Sequence, residues 1–249
     1  MLPRFFVPSA HASGDVVALP YDEAQHLSRV LRLAVGSPIV AFDGRGKEWK
    51  ASVAESGKQG VRVRIEDPRT PVSEPAVAVT LAQAVLKGEK MDDLVRDAVM
   101  IGVATIQPIV TSRSEVSLAA IVRGHRHERW GRIAVSSAKQ SGRAVVPVIR
   151  PACDFESLLG SIRQRTLPAP ALMLVEPSAD AEASTLQDLD GQAPREVTVV
   201  IGPEGGWAPK EVAHAADTCR LVRLGARTLR ADAAPLVTLA ALFAVWGEF

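Results

Sequence analysis

The chain has 249 residues, of which 47% are hydrophobic and 23% charged, and its formal net charge is +1 at neutral pH. These values are ordinary for a globular protein, and the length has room for one large or two smaller domains. No apolar stretch is long enough to cross a bilayer, and the first residues lack the apolar centre of a signal peptide. Cys153 and Cys219 have no metal-ligand spacing, so we expect reduced thiols, no metal and a cytoplasmic location.

The N-terminal part of the chain has the pattern of short β-strands. Residues 38–42 and 49–53 are apolar segments on either side of a glycine-containing turn, which predicts a hairpin. Residues 61–65 alternate valine or isoleucine with arginine, as a half-buried strand does. An amphipathic helix over 24–31, with Asp22 as its N-cap, interrupts the strands. We therefore expect a small, partly closed β-domain.

A proline-rich segment marks the expected domain boundary. Residues 67–75 contain three prolines, a composition typical of a linker. The sequence therefore predicts a β-rich domain over residues 1–70 and a second domain over residues 74–249.

Beyond this segment, strands and helices alternate along the chain. The apolar patterns predict strands at 77–81, 103–110, 171–175, 197–201 and 221–224, and helices around 91–98, at 128–141 and at 235–246. Such alternation is typical of an α/β domain with a parallel sheet that is covered on both faces.

Positive charge is concentrated in the middle of the chain. Residues 113–150 hold eight arginines and lysines against two glutamates, a local charge of +6. An excess of this size suits a phosphate-rich partner such as a nucleic acid. The alternative is a solvated helical face whose counter-charges come from elsewhere in the fold.

Two glycine-containing segments carry the strongest functional signal. Ile201-Gly202-Pro203-Glu204-Gly205-Gly206 follows a buried strand, and Leu224-Gly225-Ala226-Arg227-Thr228-Leu229-Arg230 comes later. A strand that ends in glycines presents bare backbone groups at the carboxyl edge of a sheet, where α/β proteins bind ligands. The first segment has neither the P-loop pattern nor the dinucleotide-binding glycine spacing. Together the two segments predict a small-molecule site built largely from backbone.

An ordered series of landmarks resembles the bacterial small-subunit ribosomal RNA methyltransferase E family along nearly the whole chain. In the C-terminal part, the two glycine segments carry the resemblance together with Trp207, Glu211 and Ala233. The earlier landmarks are Arg4-Phe5-Phe6-Val7, His26, Val30-Leu31-Arg32, Gly36, Asp43-Gly44, Gly46, Gly102-Val103, Ile106, Pro108, Ser112-Arg113-Ser114, Glu128-Arg129-Trp130, Gln140-Ser141-Gly142-Arg143 and Pro147.

The resemblance implies a fold and a cofactor. The C-terminal domain would be of the SPOUT class, with a parallel sheet and a trefoil knot, and the N-terminal domain would be PUA-like. The knot loops of this family hold S-adenosylmethionine through backbone groups. Carried over to this chain, the cofactor-binding residues would be Leu174, Val175, Glu176, Ile201, Gly202, Pro203, Glu204, Gly205, Gly206, Leu224, Gly225, Leu229 and Arg230.

The resemblance further implies methylation of N3 of a uridine in 16S ribosomal RNA of the small subunit. Asp232 is a candidate base for the N3 proton, and Arg230 is a candidate stabiliser of the developing negative charge. Structural ion pairs of Arg227 or Arg230 with Glu204 or Asp232 are the alternative. Glu204 could instead fix its own loop by accepting backbone N–H bonds.

The candidate RNA-binding residues are Arg4, Arg29, Arg32, Arg113, Gln140 and Arg143. For the last two there is a purely structural alternative, in which Gly142 caps a long helix and Arg143 complements its negative end. The family works as homodimers. An apolar stripe on the last helix would form either the dimer contact or core, and its members are Leu236, Leu239, Leu242, Phe243 and Trp246.

The chain departs from the family pattern at two places. Asp97 and Met100 stand where the family usually has a lysine and a glutamate, and Ala231-Asp232 replaces its usual threonine and glutamate. Two other functions therefore remain as alternatives. One is a catalytically silent RNA-binding ribosome-assembly factor, and the other is a different nucleotide-using α/β enzyme.

Overall fold

The computed structural model describes residues 2–179, 183–188 and 193–248, and the chain divides into two compact units. The N-terminal unit comprises the chain up to Glu74 together with Val135–Val146. The C-terminal unit comprises Pro75–Ala134 and the chain from Pro147 onward. Nothing in the local sequence pattern indicates that Val135–Val146 belongs with the first unit.

The N-terminal unit is built on a five-stranded sheet of order β1-β3-β4-β5-β2. β1 and β3 are parallel, whereas the other neighbours are antiparallel. Its elements are β1 (Arg4–Phe6), β2 (Val16–Ala18), α1 (Tyr21–Gln25), a π-helical turn (His26–Val30), β3 (Pro38–Phe42), β4 (Glu48–Gly57) and β5 (Gly60–Arg69).

The expected hairpin and alternating strand are confirmed. β3 pairs with β4 so that Ala41 lies opposite Trp49. Val61, Val63 and Ile65 are buried while the arginines between them are exposed, which is the period-2 burial of a strand with one face on a core.

Two local predictions in this unit are wrong. The helix begins at Tyr21 after Pro20 and has no side-chain cap, so Asp22 lies in its first turn rather than at the N-cap. There its carboxylate complements the positive end of the helix. The strand β5 continues to Arg69 and pairs Pro68 with Trp49, so the first residues of the proline-rich segment are not a linker.

Backbone bonds attach residues 144–146 to the turn between β3 and β4. The amide of Val146 donates to the carbonyl of Gly44 at 3.0 Å, and the amide of Gly46 donates to the carbonyl of Ala144 at 3.1 Å. Gly44 has a φ of +77°, and a Cβ there would lie 2.6 Å from the Phe6 ring. This close approach explains why glycine occupies that turn.

The C-terminal unit contains an all-parallel sheet of order β11-β13-β10-β12-β6-β7-β8, with β9 also paired to β7. Its elements are β6 (Ala78–Ala84), α2 (Lys90–Ile101), β7 (Thr105–Val110), α3 (Leu118–Arg123), α4 (Arg126–Ser141, whose last turns belong to the N-terminal unit), β8 (Val148–Ile149), β9 (Cys153–Asp154), α5 (Phe155–Arg163), β10 (Ala171–Leu174), β11 (Ser184–Thr185), a 3₁₀ turn (Leu186–Asp188), β12 (Glu196–Ile201), α6 (Pro209–Ala215), β13 (Arg220–Arg223) and α7 (Ala234–Val245).

The parallel α/β sheet expected from the sequence is confirmed. Residues 197–200 in β12 are buried on both faces of the sheet, which explains why three of the four are valine. The predicted stripe on α2, formed by Met91, Leu94, Val95 and Ala98, is buried as well. Since neighbouring strands run parallel, the loops after β6, β10, β12 and β13 emerge at the same edge.

The last helix is mainly a core element. Leu239, Leu242 and Phe243 are fully buried, so these members of the apolar stripe pack inside the unit. Val237 and Val245 are exposed on the same helix. Among the described residues, no helix is long and apolar enough to cross a membrane. The trefoil knot stays a prediction of the resemblance.

Gly102 and Gly131 provide a matched test of this packing. Gly102 ends α2 with a φ of +120°, and a Cβ there would lie 2.7 Å from Cγ of Pro75. We expect Gly102→Ala to lower the free energy of unfolding by about 2–4 kcal/mol through backbone strain and overpacking. Gly131 lies inside α4 with no atom within 4 Å of its Cβ position. Gly131→Ala should therefore stabilise by up to about 1 kcal/mol. Urea unfolding measures the free energy of unfolding of both variants. Equal changes in the two would contradict this packing.

Candidate functional site

A cavity of about 420 Å³ opens at the carboxyl edge of the parallel sheet. Its walls come from the loops after β10, β12 and β13 and from the beginnings of α2 and α7. The volume is typical of a small-molecule site. The lining residues are Lys90, Leu174, Val175, Glu176, Pro177, Ile201, Gly202, Pro203, Glu204, Gly206, Trp207, Leu224, Arg227, Thr228, Leu229, Arg230, Ala231, Asp232 and Ala234.

The fold brings both glycine segments to this one cavity. All of the predicted cofactor residues line it except Gly205 and Gly225. The predicted catalytic residues Arg230 and Asp232 line it as well. Sequence reasoning gave no ligand-binding role to Lys90, Thr228 or Ala234, which also contribute to the walls. That these residues bind a cofactor stays a prediction at this point.

Two positions in the first glycine segment, residues 201–206, favour glycine for a physical reason. Gly206 has a φ of +67°, and a Cβ there would lie 2.5 Å from Oε1 of Glu176. A Cβ on Gly202 would lie 3.0 Å from the ring of Trp207. At Gly206 the positive φ favours glycine, and at Gly202 a side chain would press against the Trp207 ring.

Trp207 fixes the position of this segment relative to β10. Its indole Nε1 donates a hydrogen bond of 2.7 Å to the carbonyl of Leu174, and the bond is buried. Its ring packs on Phe155, with 5.1 Å between the ring centroids. The sequence showed Trp207 only as a family landmark, although a tryptophan directly after the glycines indicates such an anchor.

Glu204 joins the glycine segment to the loop that precedes α2. Its Oε1 accepts a hydrogen bond of 3.1 Å from the backbone amide of Lys87 and lies 3.4 Å from Nζ of Lys90. Glu204 therefore neither fixes its own loop nor pairs with Arg227 or Arg230, which were the alternatives left open by the sequence. Its partners lie in the loop after β6 and at the start of α2, because β6 and β12 are neighbours in the sheet.

Arg230 and Asp232 form a two-bond ion pair at the cavity. Nε of Arg230 donates to Oδ1 of Asp232 at 3.0 Å, and Nη2 donates to Oδ2 at 2.6 Å. The hydrogen bonds from Arg230 lower the pKa of Asp232 below its ordinary value. A carboxylate that is held ionised in this way is a weak proton acceptor. The pair therefore suits orientation of Arg230 better than proton removal by Asp232.

Two charged groups at the cavity have no ionic partner within the described part of the chain. The cavity lining holds three acidic and three basic side chains. Glu204 and Lys90 approach each other, and Asp232 pairs with Arg230. Glu176 and Arg227 remain without such a pair. One carboxylate and one guanidinium are suited to a ligand that carries both a positive and a negative charge.

The structure removes two arginines from the set of candidate RNA contacts. Arg4 is nearly buried, forms an ion pair with Glu48 and lies 5.0 Å from the centroid of the Phe42 ring. Arg143 is buried, and its guanidinium forms hydrogen bonds to the Glu74 carboxylate, including one of 3.0 Å. Both arginines are internal partners of acidic residues, and so they are not placed to meet a nucleic acid.

The other candidate RNA contacts are exposed. Arg29, Arg32 and Gln140 lie on the surface of the N-terminal unit. Gly142 ends α4 with a φ of +84°, as expected for a helix C-cap. In the C-terminal unit, Arg113 is exposed, but its Nη1 also donates a hydrogen bond of 3.0 Å to the carbonyl of Gly205.

The two cysteines offer no reactive thiolate. Both are unpaired, and burial raises the pKa of Cys153 and of Cys219 to about 11. They are protonated at neutral pH and therefore weak nucleophiles. Across residues 2–179, 183–188 and 193–248, no group of three or more His, Cys, Asp or Glu side chains is arranged to hold a metal ion.

Known families match nearly the whole chain. The RNA methyltransferase domain matches residues 72–243, and the RNA methyltransferase PUA domain matches residues 19–66. The ribosomal RNA small subunit methyltransferase E of Bacillus subtilis is 28% identical over 89% of this chain and 87% of its own length.

Solved structures give the same result. The structure of ribosomal RNA small subunit methyltransferase E from Neisseria gonorrhoeae bound to S-adenosylmethionine has a TM-score of 0.88 and 31% identity, covering 99% of this chain and 98% of that one. A putative methyltransferase from Legionella pneumophila, also in complex with S-adenosylmethionine, has a TM-score of 0.88 and 28% identity, covering 98% of each chain.

Gly206→Ala tests the geometry of the cavity. The new Cβ would displace the Glu176 carboxylate and strain the backbone at a positive φ. We expect the affinity for S-adenosylmethionine, measured by calorimetry, to fall at least about tenfold. Gly160→Ala is the matched control, because Gly160 lies in α5 with nothing within 4 Å of its Cβ position. If the two variants bind alike, the loop geometry described above does not govern binding.

Proposed function

The chain belongs to the ribosomal RNA small subunit methyltransferase E family, and from this premise we propose that it transfers the methyl group of S-adenosylmethionine to N3 of a uridine in 16S ribosomal RNA. The single observation that carries the proposal is the cavity at the carboxyl edge of the parallel sheet. Both glycine segments line it, and so do Arg230 and Asp232.

The cavity fits S-adenosylmethionine in size and chemistry. Backbone groups of residues 201–206 can satisfy the edge of an adenine, and Leu174, Leu224 and Leu229 supply apolar wall. The unpaired Arg227 is suited to the carboxylate of the methionine moiety, and Glu176 to its cationic or hydroxyl groups. When bound, S-adenosylmethionine supplies an electrophilic methyl group on its sulfonium.

Arg230 is the proposed stabiliser of charge on the target base. N3 of a neutral uracil carries a proton, and its loss leaves negative charge on the neighbouring ring oxygens. Guanidinium N–H groups fixed before the reaction stabilise such charge without further reorganisation. Asp232 holds two nitrogens of Arg230 and so sets the direction of the third, Nη1. We therefore propose Asp232 as a positioning residue, and the N3 proton leaves to another base or to water.

The target uridine has to be unpaired when it reacts. N3 lies on the Watson–Crick edge, so the base must be single-stranded or extruded before it can enter the cavity. The exposed Arg29, Arg32, Gln140 and Arg113 are the proposed RNA contacts. Such residues fix the register of the RNA through phosphates, and the cavity selects the base. We also propose, from the resemblance, that the chain acts as a homodimer.

Methyl transfer to ribosomal RNA tests the proposal directly. The purified protein is incubated with labelled S-adenosylmethionine and either naked 16S ribosomal RNA or small ribosomal subunits, and the digested RNA is analysed by mass spectrometry. We expect 3-methyluridine at one position. A methyl group on another atom would refute the N3 assignment. Binding of the donor and RNA without transfer would instead identify a silent assembly factor.

Asp232→Asn separates the positioning role from that of a base. Because the ion pair lowers the pKa of Asp232, this carboxylate is already ionised throughout about pH 6–9 and cannot cause a rise in rate with pH. We expect the variant to lose less than about tenfold in kcat and to keep the pH profile of the native protein. Loss of a general base would cost about a hundredfold or more. A loss of that size, with a flattened profile, would make Asp232 the base.

A further inference from the structure

The loop that follows β7 is bonded to the first glycine segment and to α6, which begins just after that segment. In this loop, residues 111–115, the backbone amide of Ser112 donates to Oε1 of Glu211 at 2.8 Å. Arg113 donates from Nη1 to the carbonyl of Gly205 at 3.0 Å. Within the loop, the Thr111 amide is bonded to Oγ of Ser114 at 3.0 Å. The loop is therefore ordered by its own bonds and attached to the chain beside the cavity.

Glu211 connects this loop to the segment directly after the glycines. Its second oxygen, Oε2, accepts a hydrogen bond of 2.9 Å from the backbone amide of Ala208. One carboxylate thus bridges two chain segments that are about a hundred residues apart. This bridge uses backbone amides on both sides and does not involve the Arg113 side chain.

Arg113 lies unusually close to Gly205. A Cβ on Gly205 would lie 3.1 Å from Cβ of Arg113 and 3.2 Å from its carbonyl oxygen. Gly205 does not line the cavity, but both of its neighbours, Glu204 and Gly206, do. Because adjacent peptide units move together, a shift of the Gly205 carbonyl shifts the cavity wall.

The Arg113 guanidinium has N–H donors that the bond to Gly205 does not use. A guanidinium has five N–H groups in a planar fork, and the bond to Gly205 uses a single nitrogen. The residue is exposed, and no acidic side chain pairs with it in the part of the chain that the structure describes. It also opens the basic segment over residues 113–150. A guanidinium with paired N–H donors and no acidic partner is suited to bind a phosphate group.

We propose that Arg113 couples RNA binding to binding of the methyl donor, an inference that rests on the proposed function. A phosphate of the bound RNA takes the outward N–H groups while Nη1 keeps the Gly205 carbonyl. The phosphate immobilises the side chain, so the glycine segment is held more firmly and the donor binds to a wall that is already ordered. By reciprocity, the donor raises RNA affinity by the same factor.

The coupling is measured with S-adenosylhomocysteine, which cannot transfer a methyl group. Its affinity is determined by calorimetry for the full chain alone and with saturating 16S ribosomal RNA transcript. We expect the RNA to raise the affinity of the native protein about five- to tenfold. In Arg113→Ala this factor, which is the ratio of the affinities measured with and without RNA, should fall to about one.

Two further variants make the test specific. Arg113→Lys keeps the charge but lacks the fork, so it should bind RNA nearly as well as the native protein and show less than half of the coupling. Arg123→Ala is the matched control, because Arg123 is exposed in the same basic segment and has no bond to the glycine segment. It should weaken RNA binding and leave the coupling factor unchanged.

Each outcome decides the proposal. Full coupling in Arg113→Ala, loss of coupling in Arg123→Ala, or no coupling in the native protein would overturn it. Failure of S-adenosylhomocysteine to bind the native protein at all would refute the proposed function instead, which keeps the two failures distinct. A midpoint of thermal unfolding close to that of the native protein shows that a variant retains the fold.

Discussion

Parallel pairing of β6, β12, β10 and β13 is the constraint on which the site depends. Because these strands are neighbours and run in one direction, their carboxyl ends lie at one edge of the sheet. Loops that are distant in sequence therefore enclose a single cavity. The glycines then allow the backbone, rather than long side chains, to form the wall, as the contact of Gly206 with Glu176 shows.

Bonds between loops hold this wall in place, and the proposed phosphate contact to Arg113 strengthens one of these attachments. Trp207 anchors the glycine segment to β10, Glu204 anchors it to the loop before α2, and Arg113 anchors it to the loop after β7. A preformed wall lowers the entropic cost of binding and places reactants in a fixed orientation. For methyl transfer, orientation of the acceptor against the donor is the main contribution that such a site can make.

Local pattern was enough to predict the sheet, the hairpin and both glycine segments, because each depends on residues that are close in sequence. It failed for Arg4 and Arg143, because their acidic partners lie 44 and 69 residues away. It also did not identify the partners of Glu204, which come from the loop after the neighbouring strand β6 and from the start of α2. A surface arginine and a buried one look alike in sequence, and only the fold shows which acidic residues are near.

Both glycine segments should enclose one methyl donor, and a crystal structure of the protein with S-adenosylmethionine would show whether they do. We expect electron density for the donor within contact of Gly202–Gly206 and of Leu224–Arg230 together. Density at any other place, or contact with only one of the two segments, would contradict it.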